Sequence, residues 1–203
     1  MSQRMNYNAA SPAGMKALGA VYGYVRQSGL PSQLIDLVFL RVSQINGCAY
    51  CIDMHSRDLL KAEIPVEHLM LVAAWREAGS IFDEQERAAL AWAEVLTRLG
   101  DHGVPDSAFQ AAAAVFGEKQ LADLTIAIGL MNAYNRMAIS FRATLWHSPP
   151  DRYADHQVPH DEGGLHENHS NPGRSGADLR RRLGAECGAV AAAGSHAQRS
   201  AAA

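Results

Sequence analysis

The chain has 203 residues, of which 48% are hydrophobic and 19% are charged, and its formal net charge at pH 7 is −3. This length suits one domain with appendages, and the apolar content is sufficient for a sizeable core. So mild a charge balance excludes strong electrostatic attraction to nucleic acid or to an anionic membrane surface. The first 15 residues contain no apolar run, and charged and amide side chains interrupt the apolar stretch at 121–141. We therefore expect a cytoplasmic protein without a signal peptide or a membrane span.

Most of the chain after residue 12 has the apolar spacing of consecutive helices and little of the alternation typical of strands. Proline, glycine and an Asn-Gly pair divide it, because these residues interrupt or begin helices. Asp83 followed by Glu86 has the spacing of a capping box. The short connections favour antiparallel neighbours, so we predict an all-α fold, a compact antiparallel domain of about six to seven helices over residues 13–146. The predicted helices are 13–27, 32–45, 48–62, 66–78, one beginning after Asp83, 105–116 and 119–145.

Two segments flank this predicted domain. Residues 1–12 are expected to form a flexible N-terminus. Residues 147–203 contain several proline and glycine pairs and few large aliphatic side chains. Such a segment cannot bury enough apolar surface to offset the entropy lost on ordering. We therefore predict a disordered, low-complexity tail, in which the third cysteine, Cys187, is a bystander thiol.

The most informative segment is Gly47–His55, which holds two of the three cysteines and a histidine. Cys48 and Cys51 stand three residues apart, and His55 follows four residues later. The preceding Asn46-Gly47 pair would begin a helix near Cys48, and positions i, i+3 and i+7 share one helix face. A helix N-terminus and a neighbouring base or cation lower the pKa of a thiol. In a reducing cytosol, such a pair indicates catalysis or metal binding rather than a structural staple.

Three interpretations of Cys48, Cys51 and His55 are compatible with the residues alone. The first is a redox-active dithiol, because thiols at i and i+3 of a helix start can close a disulfide without unwinding the turn. The second is zinc, although a structural site takes four ligands and the predicted domain has no second CxxC or HxxxH; a catalytic site with three ligands and water stays open. The third is structural, since free cysteine is often a small buried hydrophobe.

The run Leu40–His55, LRVSQINGCAYCIDMH, resembles the carboxymuconolactone decarboxylase family, specifically its alkyl hydroperoxidase D-like core branch. The segments 71–77, 86–92 and 132–138 are similar to the same branch, so the resemblance covers residues 15–142. It implies an all-helical domain that assembles into symmetric homo-oligomers. It also implies peroxide or disulfide chemistry at the CxxC without a metal or organic cofactor. The implied partners are a hydroperoxide substrate and a dithiol reductant, such as a lipoyl-domain or thioredoxin-like protein.

The resemblance further implies roles for individual residues. Cys51 would attack the peroxide, Cys48 would resolve the sulfenate and meet the reductant, and His55 would relay the proton. The relay Glu of the family stands twelve residues before the first cysteine, where this chain has Asp36. Aspartate keeps the charge but loses about 1.5 Å of reach, so we expect its link to the relay to pass through a water. Some members place a second His between the cysteines, where this chain has Tyr50.

The expected function is therefore a thiol-dependent hydroperoxide reductase of the peroxiredoxin type. One alternative is the non-redox decarboxylase chemistry that names the family, which does not need a dithiol. The other is a redox-sensing oligomeric interaction protein whose disulfide changes assembly. Outside the motif, we expect Asn132, Asn135 and Arg136 to join helices or subunits, and Trp75 and Trp92 to be core or interface aromatics.

Overall fold

In a computed structural model of the chain, which describes residues 2–145, the fold is all-α, as predicted. This part of the chain forms eight α-helices and one 3₁₀ turn, and seven of the α-helices make up the predicted domain, in agreement with the expected six to seven. The additional helix, Tyr7–Ala10, lies within the segment that we expected to be flexible, and the Asn6 side chain caps it. The elements are α1 (Tyr7–Ala10), α2 (Pro12–Arg26), α3 (Ser32–Asn46), α4 (Ala49–Lys61), α5 (Val66–Leu71), the 3₁₀ turn (Val72–Ala74), α6 (Glu84–Thr97), α7 (Asp106–Val115) and α8 (Glu118–Phe141).

Helix ends follow the local sequence at most junctions. Gly47 adopts a left-handed backbone, with φ of +69°, and so ends α3. The predicted capping box is present at the start of α6, where the Asp83 side chain accepts from the Glu86 amide and the Glu86 carboxylate accepts from the Asp83 amide. The last helix ends at Phe141 instead of 145, because Arg142 takes a left-handed conformation.

The helix predicted over 66–78 is wrong in extent. The α-helix ends at Leu71, and a 3₁₀ turn at Val72–Ala74 follows it. Directly after the turn, the indole of Trp75 and the guanidinium of Arg76 both donate to the carboxylate of Glu94 in α6. These tertiary contacts with the buried carboxylate of Glu94 override the local helical pattern.

The central element is α3, in which every residue from Leu34 to Ser43 is buried. It packs against α4, α6 and α8, and this explains a helix that is apolar on nearly all its faces. Trp75 and Trp92 are 5% and 6% exposed, so both expected aromatics lie in the core. Because α3 is held from three sides, its polar side chains have fixed positions relative to the start of α4.

Within the described residues, no helix is both long enough and apolar enough to cross a membrane. The segment predicted as a disordered tail, 147–203, lies outside the described part of the chain, as does Cys187.

Candidate functional site

The two cysteines lie at the tight junction between α3 and α4. The Cys48 amide donates to the Ser43 carbonyl at 2.9 Å, which closes the end of α3 after the left-handed Gly47. Cys48 is then the N-cap of α4, with Cys51 one turn inside the helix. The two thiols are free and buried, and their Sγ atoms are 2.8 Å apart. The sequence prediction that this pair stands at a helix start is confirmed.

The pair is electrostatically asymmetric. A hydrogen bond with Cys51 lowers the pKa of Cys48 to about 7, and the backbone amides of Cys51 and Tyr50 assist it against the opposing effect of burial. These amides are the unpaired donors of the first helical turn, which point at an N-cap side chain. The pKa of Cys51 is instead raised, by its hydrogen bond to Cys48 and by burial. Cys48 is therefore the thiol that ionises more readily, whereas the resemblance implied Cys51 as the attacking thiolate.

Asn135 on α8 supports this junction, and although a helix-joining role was expected of it, its effect on the two thiols was not. Its Nδ2 donates to the Ser43 hydroxyl at 3.1 Å, and its Oδ1 accepts from Asn46 at 2.9 Å. Its side chain also lowers the pKa of both thiols. The expected helix-joining role of Asn132 and Asn135 is confirmed, since Asn46 at the end of α3 donates to both. The indication in the sequence was an amide among the apolar residues of the last helix, and the structure shows that this amide is fully buried.

His55 of α4 and Asp36 of α3 lie close together between these two helices. His55 is 1% exposed and Asp36 is 5% exposed, so Asp36 is not a solvated surface carboxylate. His55 Nδ1 lies 3.6 Å from Asp36 Oδ1, beyond the range of a direct hydrogen bond. The gap between these two atoms is consistent with an aspartate in place of the longer glutamate of the family. Both ring nitrogens and Asp36 Oδ1 are buried and have no hydrogen-bond partner among the described residues.

The surroundings of this pair are partly charged and partly aromatic. Arg26 Nη2 donates to Asp36 Oδ2 at 3.0 Å, and Arg26 Nε donates to the Tyr22 hydroxyl at 3.1 Å. The Phe39 ring packs at a tilt of 59° against the imidazole of His55, with the ring centroids 5.1 Å apart. An ion pair thus fixes one oxygen of Asp36, while the other oxygen faces the histidine.

The geometry does not support the zinc site of two cysteines and a histidine that the sequence left open. In the described part of the chain, one group of three possible ligands has donor atoms within 4.8 Å of one another, and it consists of Asp36, His55 and Asp58. Neither cysteine belongs to it, so a three-ligand zinc site of Cys48, Cys51 and His55 finds no support. A divalent cation at the carboxylates would meet the guanidinium of Arg26, whose charge already balances Asp36.

A cavity of about 300 Å³ lies between the N-terminal segment, the start of α4 and the residues after α8, and Tyr7 of α1 and Tyr50 of α4 lie in its wall. Burial raises the pKa of both phenols, and charge on the thiols adds to the effect, as expected of groups close to them. The residues that line the cavity are Gln3, Tyr7, Asn8, Tyr50, Ala143, Thr144 and Leu145. Neither cysteine lines the cavity, and Tyr50 is the lining residue that stands between them in the sequence.

A second buried polar cluster surrounds Glu94. Its carboxylate accepts from Arg41 Nε at 2.8 Å and from Trp75 Nε1 at 3.1 Å, and also from Arg76. Although burial opposes ionisation, these hydrogen bonds hold the pKa of Glu94 below its ordinary value. The cluster joins α3, the segment directly after the 3₁₀ turn, and α6, so we interpret it as structural.

The chain is similar in sequence to several known proteins. The profile of the carboxymuconolactone decarboxylase family matches residues 12–95. The uncharacterized protein YdfG of Bacillus subtilis (strain 168) is 35% identical over 140 residues, which is 69% of this chain and 95% of YdfG. The alkyl hydroperoxide reductase AhpD of Koribacter versatilis (strain Ellin345) is 39% identical over 64 residues, 32% of either chain.

Among solved structures, the chain is similar to ATU0492 from Agrobacterium tumefaciens. That protein is of unknown function and is described as a candidate antioxidant defence protein of the AhpD type. The identity is 40% and the TM-score is 0.68, over 71% of this chain and 98% of the other. The structural likeness extends over the all-α domain that carries the dithiol.

Proposed function

Because the chain belongs to the carboxymuconolactone decarboxylase family, in its alkyl hydroperoxidase D-like branch, we propose that it is a thiol-dependent hydroperoxide reductase. Its catalytic residues would be Cys48, Cys51, His55 and Asp36. The observation that carries the proposal is the buried pair of free thiols, 2.8 Å apart, with the pKa of Cys48 lowered to about 7. Such a pair supplies a thiolate and a second thiol placed to close a disulfide.

In the first step, the Cys48 thiolate attacks the outer oxygen of a hydroperoxide. An S–O bond forms, the O–O bond breaks, and the departing alkoxide takes a proton to become an alcohol. We propose Cys48 as the nucleophile because the thiolate is the reactive form of a cysteine. The backbone amides of the first turn of α4 stabilise negative charge on Cys48. This order reverses the one that the resemblance implies.

In the second step, the sulfur of Cys51 attacks the Cys48 sulfenic acid. The S–S bond forms, and the hydroxyl leaves as water with the proton that Cys51 gives up. His55 stands one helical turn after Cys51 on α4, at the spacing that brings side chains onto one face. It would take and return this proton, while Asp36 orients its ring and stabilises the imidazolium through a water.

Turnover requires that two electrons return from outside the chain. We propose an external dithiol, carried by a lipoyl-domain or thioredoxin-like protein, which opens the Cys48–Cys51 disulfide by thiol exchange. The cavity beside Tyr7 and Tyr50 would admit the peroxide and the tip of the reductant. The mechanism needs no metal or organic cofactor. A homo-oligomer in a reducing cytoplasm is part of the same proposal.

The test uses the 203-residue chain with Cys187→Ser, so that two thiols remain. Reduced protein is mixed with one equivalent of a small organic hydroperoxide at pH 7, and the rate of thiol loss is compared with that of free cysteine. The proposal expects both thiols to disappear, at least about a hundredfold faster than free cysteine, with an intact mass two hydrogens lighter. Thiol loss no faster than that of free cysteine would refute it.

The alternatives give different results in the same preparation. A decarboxylase-type enzyme would act on a lactone acid equally well after Cys48→Ser and Cys51→Ser. A redox-sensing interaction protein would form the disulfide once, resist rapid reduction by a dithiol, and change its oligomeric size between the reduced and oxidised forms.

A further inference from the structure

The proposed reaction consumes a proton, which must reach the buried site from solvent. This requirement rests on the proposed function. When one thiol of the pair reacts as the thiolate, the oxidative half-reaction consumes one proton: a thiolate, a thiol, a hydroperoxide and one proton give the disulfide, an alcohol and water. The balance is the same whichever sulfur attacks first. His55 alone cannot collect that proton from solvent, because both of its ring nitrogens are buried.

Asp58 is the group at which this cluster reaches the surface. It follows His55 by three residues on α4, and a carboxylate oxygen of Asp58 lies within 4.8 Å of the ligand atoms of both His55 and Asp36. Its side chain is 31% exposed, whereas that of Asp36 is 7% exposed and that of His55 is 1% exposed. Of the three groups, Asp58 has by far the largest exposure to solvent water.

The charges around the cluster favour proton transfer through it. Asp36 is paired with Arg26, and Asp58 is paired with Lys61 at 3.3 Å. The cluster is therefore neutral before His55 takes a proton, and the added charge lies between two carboxylates. The pair of Asp58 with Lys61 is largely exposed and so is weak, which leaves the carboxylate free to exchange protons with solvent. Tyr22 also faces both carboxylates, and its phenol is bonded to Arg26.

We propose that Asp58 is a positioning and proton-delivery residue, which connects solvent to His55 and acts on the dithiol only through that histidine. The proton passes from water to the Asp58 carboxylate, from there to His55, and then to the departing oxygen. Each transfer exchanges one O–H or N–H bond for another, and no redox partner beyond the peroxide is required. A bound divalent cation is disfavoured at the same three donors, because Arg26 and Lys61 already balance both carboxylates.

The test compares Asp58→Asn with two matched controls in the Cys187→Ser background. Asp53 is on the same helix as Asp58 and is paired with Arg57 at 2.8 Å, so Asp53→Asn removes a carboxylate that lies outside the cluster. Lys61→Ala removes the ion-pair partner of Asp58 but leaves the Asp58 carboxylate in place. Thiol loss with one equivalent of hydroperoxide is followed at pH 7, with and without added formate. We expect Asp58→Asn to be slowed about tenfold to a hundredfold, the range for loss of a proton-transfer group. Formate should restore part of that rate, and Asp58→Glu should retain most of it.

The controls make the result decisive. Asp53→Asn and Lys61→Ala should match the wild-type rate and show no response to formate. The inference is overturned if Asp58→Asn reacts within twofold of Asp53→Asn, if Lys61→Ala is slowed as much as Asp58→Asn, or if formate fails to rescue. Activity that disappears with a chelator and returns with zinc or manganese would also overturn it. A wild-type chain that does not react overturns the proposed function as well, whereas normal wild-type reaction with a normal Asp58→Asn overturns only this inference.

Discussion

Replacing Cys51 by alanine should raise the pKa of Cys48. The hydrogen bond with Cys51 is the largest of the effects that lower it, ahead of the backbone amides of Cys51 and Tyr50, and alanine removes that bond while it keeps the amides. The ordinary value for a thiol is 9.0, and the folded value is about 7. About half of the Cys48 side chains are therefore thiolates at pH 7 in the wild type. A complete return to the ordinary value would leave about 1%, a fall of about fiftyfold.

The sign of the pH dependence follows from the direction of the shift. Because the pKa is lowered, reactivity should be present above pH 7 and should be lost as the pH falls through 7. In Cys51→Ala the loss should begin at higher pH, and since the amides remain, the midpoint should lie between 7 and 9. The assay is the ultraviolet absorbance of thiolate, titrated in the Cys187→Ser background, with Cys48→Ser as the blank. A midpoint for Cys48 that does not move in Cys51→Ala, or that moves down, would refute the reasoning.

Four further changes test other parts of the account. Asp36→Glu should close the 3.6 Å gap to His55 and speed thiol loss by up to about tenfold, the effect of one charge-assisted hydrogen bond; a slower reaction in peroxide stopped-flow would contradict this. Asn135→Leu should raise the midpoint of the Cys48 thiolate titration, since it removes a donor that lowers the thiol pKa; an unchanged midpoint would contradict it. Gly47→Ala should lower the free energy of unfolding by about 1 kcal/mol, because alanine is strained in the left-handed backbone conformation of Gly47. Urea unfolding measures this change, and an unchanged free energy would contradict the prediction. Glu94→Gln should cost about 3–5 kcal/mol by leaving the buried Arg41 without its counter-charge; unfolding midpoints equal to wild type would show that the cluster is not structural.

Local features of the site were predictable from the sequence because they depend on neighbouring residues. The left-handed Gly47, the helix start at the cysteines and the capping box at Asp83 are all set within a few residues of chain. The identity of Asp36 as the partner of His55 came from the family resemblance, and the structure places the two groups 3.6 Å apart. The expected water in that gap stays a prediction.

The remaining contacts of the site join segments that are distant in sequence. Asn135 reaches Ser43 across 92 positions, and Arg26 reaches Asp36 from a different helix. Tyr7 lies beside the thiols because the N-terminal segment packs on the end of α8, where the Arg4 amide donates to the Phe141 carbonyl at 3.0 Å. Periodicity and capping rules carry no information about such pairs, and the shortened α5 is a further instance, since the contacts of Trp75 with Glu94 decide where that helix ends.

The charge on Cys48 also bears on how the disulfide would be reduced. A thiol with a lowered pKa is a good leaving group in exchange, so attack by an external thiolate on the Cys51 sulfur would release Cys48 in its stabilised form. The same amides of α4 would thus assist both halves of the cycle.

The central claim is that the resting thiolate of Cys48 attacks the peroxide and that Cys51 then closes the disulfide. The most direct measurement is the location of the sulfenic acid. Cys51→Ser and Cys48→Ser proteins, both in the Cys187→Ser background, are exposed to one equivalent of hydroperoxide with a dimedone-type trap, and the adduct is located by peptide mass spectrometry. We predict rapid labelling of Cys48 in the Cys51→Ser protein and little labelling of Cys51 in the other. The mirror pattern would assign the attack to Cys51, and no adduct in either protein would contradict the account.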